Sequence, residues 1–270
     1  MNKLTAPLLK VIFLLLIISC STVPLSDRKQ VNLIPEKELI AMSLTAYGDF
    51  LKNHPPLPTA DNNSAMVKQV GSRIATSVIN YLRQNKLSDR VKGYKWEFNL
   101  VNSPEVNAWC MPGGKVVVYS GLLPVTKDET GLAFVMGHEI AHAIARHGNE
   151  RMSQMLIAET GSLALDIALA NKPAQTRALF GTAYGIGAQV GVLLPFSRLH
   201  ETEADELGMI FMAMAGYDPR KAPEVWQRMI QLNSGSKPPE ILSTHPADNN
   251  RIEALRKFIP EAMKYYKPRP

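Results

Sequence analysis

Residues 131–150 read GLAFVMGHEIAHAIARHGNE. Leu132, Val135, Met136, Ile140, Ala143 and Ile144 recur at three-to-four spacing, the apolar stripe of an amphipathic helix. Gly148 stands where a helix C-cap glycine belongs, with Arg146 and His147 in the last turn. On such a helix His138 and His142 lie one turn apart on a single face and aim both imidazoles at one point. Glu139 is rotated by about 100° from His138, too far to join them as a ligand but within reach of a water held there. This is the HExxH spacing of a zinc site with the glutamate as general base. The competing reading is a helix with two buried histidines satisfied by hydrogen bonds.

Catalytic zinc takes three protein ligands and an open position. A third histidine in the pattern HExxHxxGxxH is excluded, because position 145 is Ala and position 148 is Gly. The other route is a glutamate on a second helix, and the stretch SRLHETEADELGMIFMAMAGYDP at 197–219 supplies one. Glu201 and Asp205 share a helical face, so Glu201 can complete a His2Glu set. Asp205, one turn on, can hydrogen-bond the free nitrogen of a ligating histidine. An ExxxD pair alone is usually a solvated helix face; its weight here comes from the company it keeps.

HEIAH at 138–142, ETEAD at 201–205 and THP at 244–246 together resemble the M48 peptidases, which are gluzincins. The segments PLSDRKQVNLIPEKEL (24–39) and NAWCMPGGKVVVYSGLL (107–123) are similar to the bacterial lipoprotein and Oma1-like branch of that family. The likeness runs from about residue 24 to about 258. It implies His138, His142 and Glu201 as ligands of one zinc ion per chain, Glu139 as the catalytic glutamate, and Asp205 and His245 as supporting positions. It also implies an α+β fold: a mainly helical zincin-like metalloprotease domain with a small antiparallel sheet and the HExxH active-site helix. Cys110 departs from the pattern, standing where a small apolar residue is expected before Pro-Gly-Gly.

His245 has no metal spacing of its own. Pro246 restricts it toward extended geometry, and an imidazole there can stabilise an oxyanion. The resemblance adds the possibility that it occupies the metal's open position in a resting enzyme.

The chain begins MNKLTAPLLKVIFLLLIISCS. Lys3 and Lys10 give a positive start and Val11 to Ile18 an apolar core of signal-peptide length, shorter than a ~20-residue span. Ile-Ile-Ser-Cys fits a lipobox, so residues 1–19 are expected as a lipoprotein signal peptide and Cys20 as the acylated residue; a retained signal anchor is the alternative. Ser21, rather than Asp, follows the cysteine; resemblance to Gram-negative lipoproteins then implies the bacterial outer membrane, on its periplasmic face, with the lipid as the membrane contact. With Cys20 acylated, Cys110 is left as a single thiol, read as a buried apolar filler.

The formal charge is +6, or +4 without Lys3 and Lys10, and the basic residues form no stripe, so no nucleic-acid partner is expected. Residues 20–35 read as a tether, 36–262 as the metallopeptidase domain and 263–270 as a C-terminal tail. Helical periodicity covers Glu36 to about Lys52 and residues 64–86, with a proline-rich break at 54–63. The period then becomes two at Trp96, Phe98 and Leu100 and again at Val116 and Val118. Lys115, Val116, Val117, Val118 and Tyr119 are expected as an edge strand along which extended substrate lies, the bland alternative being a core hairpin. Residues 153–195 suit a packed helical hairpin beside the site, or membrane contact, and 219–262 suit short helices carrying Trp226, Met229, Ile230, Ile252 and Leu255.

The reaction so implied is zinc-dependent endoproteolysis of unfolded or misassembled envelope proteins, a quality-control role. The rival is a zinc-containing chaperone or assembly factor for outer-membrane proteins, partnered with their assembly machinery, in which proteolysis is latent. A purely structural protein fits less well, because a structural metal site has no use for Glu139.

Overall fold

A computed structural model of the chain describes residues 20–160, 197–232, 240–246 and 248–268. The leader expected over residues 1–19 and most of the hairpin expected over 153–195 lie outside the described residues. No described helix is long and apolar enough to cross a membrane.

After a short hairpin, β1 (Cys20–Thr22) and β2 (Lys29–Val31), the helix α1 (Glu36–Asn53) starts behind Pro35. Acidic Glu36 and Glu38 lie in its first turn and basic Lys52 in its last, each sign matching the helix dipole. The proline-rich break ends at Asp61, whose side chain caps α2 (Asn62–Gln84) by accepting from the Ser64 N–H. Val67, Val70, Ile74, Val78 and Leu82 form its buried face, as their spacing predicts.

Three strands follow: β3 (Glu97–Val101), β4 (Ala108–Met111) and β5 (Lys115–Tyr119). The expected antiparallel sheet is in fact mixed. β5 runs parallel to β3 and antiparallel to β4, in the order β3-β5-β4. Lys115 to Tyr119 is therefore the central strand, buried along its length, with both backbone edges already paired. It cannot be the substrate edge, and that expectation is corrected. Period-two alternation locates a strand but does not reveal its neighbours. β3 and β4 are the edge strands: the outer side of β3 is met by Pro56 and Leu57, whereas among the described residues no strand pairs with the outer side of β4.

Next come α3 (Leu123–Thr126), α4 (Glu129–Ala145) and α5 (His147–Thr160), then α6 (Arg198–Met214), α7 (Ala222–Leu232), α8 (Glu240–Thr244) and α9 (Asn249–Met263). Trp226, Met229, Ile252 and Leu255 are buried, as expected of the C-terminal helices. Helix α4 is the centre of the molecule. It packs on α2 and β4 on one side and on α6 on the other, and α9 backs α6. The stripe of an amphipathic helix is only half the story: every residue from Gly131 to Ala145 is buried, because Ala133, Phe134, Ala141 and Ala145 make the second face apolar too.

Helix α4 ends earlier than Gly148. Arg146 takes the left-handed conformation at φ 60° and the chain turns straight into α5. The carbonyls a buried helix end leaves orphaned are met by side chains. Tyr94 Oη donates to Ala143, Arg90 Nε to Ile144, and Arg90 Nη2 and Gln30 Nε2 to Ala145. Gln30 lies in β2, and Val23 beside the hairpin is fully buried. The tether expected over residues 20–35 is thus a docked hairpin. Its few apolar positions hid this, since it is held largely by polar groups reaching the end of α4.

Candidate metal centre

Helices α4 and α6 cross at two glycines. A Cβ on Gly137 would lie 2.8 Å from the Gly208 carbonyl oxygen, and one on Gly208 would lie 2.8 Å from the His138 nitrogen. Only glycine permits so close an approach. The crossing brings the polar start of α6 over HEIAH, although α6 is contributed from about sixty residues further along.

At that crossing His138 Nε2 and His142 Nε2 are 3.1 Å apart, with Glu201 carboxylate oxygens 3.6 and 3.3 Å from them. Ligand atoms about 2.0–2.1 Å from a tetrahedral metal are separated by about 3.3–3.4 Å, so the three expected ligands fit one ion. The donor chemistry agrees. His138 Nδ1 faces Asp205 Oδ1 at 3.0 Å, so the proton sits on Nδ1 and the Nε2 lone pair is turned toward His142. That lone pair and the Glu201 carboxylate are donors suited to one cation. His245, placed by the end of α8, joins the group: its Nδ1 is 3.3 Å from His138 Nε2 and 3.0 Å from Glu201 Oε1. The four ligand atoms all lie within 4.8 Å of one another, and all four residues are buried.

Glu139 points to the same place from the other side. Its Oε1 is buried without a hydrogen-bond partner, and His245 Nε2 is 3.6 Å away. Burial pushes its carboxyl above the ordinary value, against the pull of His245 and His138. Glu201 goes the other way: burial raises it, but His245 and Arg251 hold it well below the ordinary range. Burial depresses His142 well below the usual imidazole value, keeping it neutral, as a metal ligand must be. On His245 burial also works downward, yet the carboxylates of Glu201 and Glu139 outweigh it and raise the imidazole.

The structure brings together every expected site residue of the metal group: His138, Glu139, His142, Glu201, Asp205 and His245. It adds three that sequence reasoning missed. Arg251 on α9 donates to Asp205 through Nε and Nη2, both at 2.8 Å, and its Nη1 lies 2.7 Å from Glu201 Oε2 and from the Pro246 carbonyl. Its guanidinium stacks 4.1 Å from the Trp226 ring, whose Nε1 donates to Asp205 at 3.0 Å. His147 Nδ1 lies 2.9 Å from His142 Nδ1; burial lowers this imidazole to about 4, so it is neutral at pH 7. Arg251 sits six residues after His245, and that nearness was the signal available. Cys110 is the buried apolar filler expected, its thiol raised first by burial and then by nearby Glu139.

Residues 64–259 match the profile of "Peptidase family M48". The chain is 35% identical over 244 residues to "Mitochondrial metalloendopeptidase OMA1" of Schizosaccharomyces pombe, covering 89% of this chain and 67% of that protein. It is 30% identical to "Metalloendopeptidase OMA1, mitochondrial" of Homo sapiens, covering 89% and 46%. It is 34% identical to "Beta-barrel assembly-enhancing protease" of Escherichia coli, covering 60% and 34%. The chain thus spans between about a third and two thirds of the length of these relatives. The bacterial outer-membrane location expected from the first residues is corrected here. The relatives matched over most of this chain are named mitochondrial proteins, which points away from a bacterial outer membrane. A HExxH helix crossed by an ExxxD helix, with a profile match over most of the chain and relatives named metalloendopeptidases, leads to one conclusion: the chain belongs to peptidase family M48.

Proposed function

We propose that this chain is a zinc-dependent endopeptidase acting on unfolded or misassembled polypeptides in protein quality control. The observation that carries the reading is Glu139, a buried carboxylate with an unpartnered oxygen beside a group of metal-binding atoms. His138, His142 and Glu201 are the residues that hold the ion, which when bound supplies a Lewis acid and a water of near-neutral pKa. Glu139, raised by burial, accepts a proton at Oε1 and delivers it to the leaving amine nitrogen. Asp205 fixes the His138 ring, and Arg251 keeps both Asp205 and Glu201 anionic. His245 Nε2, close to Glu139, can donate to the developing oxyanion.

Substrate lies along β4 rather than β5. Tyr119 N–H donates to the Asn107 carbonyl, so by antiparallel alternation the pairs at 107, 109 and 111 face β5. The Cys110 backbone then faces outward, and β4 packs directly on α4. An extended polypeptide adding there makes main-chain hydrogen bonds without demanding a particular sequence. The test compares the purified chain with Glu139→Gln on a reduced, alkylated protein, with and without chelator. Cleavage by the wild type that chelator abolishes and Glu139→Gln lowers by about 10²–10⁴-fold is expected; near-normal turnover by the variant sinks the mechanism.

A second reading, an assembly factor with latent proteolysis, has two supports: the name of the E. coli relative, and the His245 imidazole seated on the metal group. In that reading His245 fills the position a substrate carbonyl needs. Acylation of Cys20 is a separate proposal carried by Ile17-Ile18-Ser19-Cys20 alone. Labelling with a palmitate analogue tests it, and a Cys20→Ala protein still labelled would remove it.

A further inference from the structure

We infer that Arg28, on the N-terminal hairpin, is a positioning residue for the metal centre, acting through Glu203 and His147 on the ligand His142. The inference rests on the metal-site reading above. It starts from the back of the His142 ring. His142 turns Nε2 toward Glu201 and the other ligands, and its Nδ1 meets His147 Nδ1 at 2.9 Å. His147 Nε2 in turn meets Glu203 Oε2 at 2.8 Å. Glu203 is gripped by Arg28, whose Nε lies 3.1 and 2.9 Å from its two oxygens and whose Nη2 lies 2.8 Å from Oε2; the Ser26 hydroxyl adds a further bond. The other side of the same guanidinium holds Glu150, at 2.9 Å from Nη1 and 2.7 Å from Nη2.

Hydrogen-bond direction follows along this chain. An ionised Glu203 only accepts, so His147 carries its proton on Nε2 and offers the Nδ1 lone pair. His142 must then carry its own proton on Nδ1, which leaves the Nε2 lone pair for the metal. One carboxylate thus sets the tautomer and the ring plane of a ligand two residues away in the relay. Glu203 depends on Arg28 for its place. Glu150 and Glu203 both bond the one guanidinium; without it Glu150 keeps His200 and Gln30 and Glu203 keeps Ser26 and His147, but no arginine stands between the two buried carboxylates, and their repulsion shifts Glu203 on His147. Asp205 does the corresponding task for His138 directly; His142 is served from a distance, by the turn of the N-terminal hairpin just before β2. The planar fork of arginine matches two carboxylates at once, whereas lysine offers a single point of charge.

The experiment measures zinc affinity by competition with a chromophoric chelator, the rise in Tm on adding zinc, and the visible spectrum of the cobalt-substituted protein. The proteins are the wild type, Arg28→Gln, Arg28→Lys, Glu203→Ala and Gln30→Ala. Gln30→Ala removes docking bonds of the hairpin to the Ala145 carbonyl and to Glu150, and leaves the contacts of Arg28 with Glu203 and of Glu203 with His147 in place. Glu203→Ala should weaken zinc about 10–100-fold, in the range for groups that orient a ligand, and shift the cobalt bands. Arg28→Gln should do the same to a smaller degree, with Arg28→Lys in between. Gln30→Ala should lower the metal-free Tm while leaving affinity and spectrum alone. An Arg28→Gln protein with wild-type zinc affinity and cobalt spectrum overturns the inference, however unstable it is. If Arg28→Gln does not fold, Arg28→Lys and Glu203→Ala decide in the same way. Failure of the wild type to bind zinc is a different result: it removes the metal-site reading itself.

Discussion

Replacing Arg251 with Met keeps an unbranched apolar stem and deletes the guanidinium between two buried carboxylates. Three bonds to acids go: Nε and Nη2 to Asp205 at 2.8 Å each and Nη1 to Glu201 at 2.7 Å, together with the bond to the Pro246 carbonyl. Charge-assisted bonds are worth roughly 1.5–3 kcal/mol each, but such bonds share partners and do not add. What remains governs the result. Asp205 keeps Trp226 and His138, and Glu201 keeps His245, yet Asp205 stays buried without its strongest cation and Glu201 without its arginine. Breaking a buried pair in this way costs about 3–5 kcal/mol. In urea that moves the unfolding midpoint of the metal-free protein down by roughly 1–2 M at an ordinary slope. The effect has a pH signature. Burial raises both carboxyls, but Arg251 on Asp205, and His245 with Arg251 on Glu201, bring them below their ordinary values. Stability from a carboxyl so lowered is complete above its unfolded pKa of about 4 and is lost as pH falls through the lower folded value. The gap between wild type and Arg251→Met is therefore widest near neutral pH and narrows below about pH 4. Equilibrium urea unfolding of both proteins at pH 7 and pH 3.5 is the assay. A gap under about 1 kcal/mol at pH 7, or one that does not change with pH, refutes the reasoning.

Zinc should bind at about one ion per chain, and His138→Ala should lose both the metal and the activity; full occupancy of that variant by metal analysis removes the ligand assignment. Gly208→Ala places a methyl 2.8 Å from the His138 nitrogen, so α4 and α6 must separate. Overpacking of this kind costs about 1–3 kcal/mol. Because the separation moves Glu201 from the histidines, zinc titration should show weakened affinity, and an unchanged affinity would mean the crossing does not set the site. If His245 only steadies the oxyanion, His245→Ala lowers kcat with zinc affinity unchanged. If it caps the metal, the same variant binds active-site inhibitors more readily and releases zinc faster. Unaltered kinetics, inhibitor binding and zinc affinity would make it a bystander.

The site chemistry was legible in the sequence because it is local and periodic. HEIAH and ETEAD each place two groups on one face by the helical repeat alone, whatever surrounds the helices. The helices over Glu36–Asn53 and Asn62–Gln84 and the strands around Phe98 and Val117 follow from the same one-dimensional regularities, and the burial of Cys110 from its being a single unpaired thiol. What crosses the chain was not legible. The order β3-β5-β4 arises from pairing between segments, and it turns the expected substrate edge into the middle of the sheet. Arg251 and Trp226 reach Asp205 only because α9 folds back over α6, and Arg28 reaches Glu203 across 175 residues. The N-terminal segment looked like a tether because it buries only a few scattered apolar residues, Val23 and Ile34 among them, and is otherwise held by hydrogen bonds and ion pairs, which leave no period in the sequence. The sequence by itself determined which residues can bind a metal and take a proton. Only the tertiary structure decided which partners orient them, since a hydrogen bond depends on where two atoms lie in space and not on how far apart they stand along the chain.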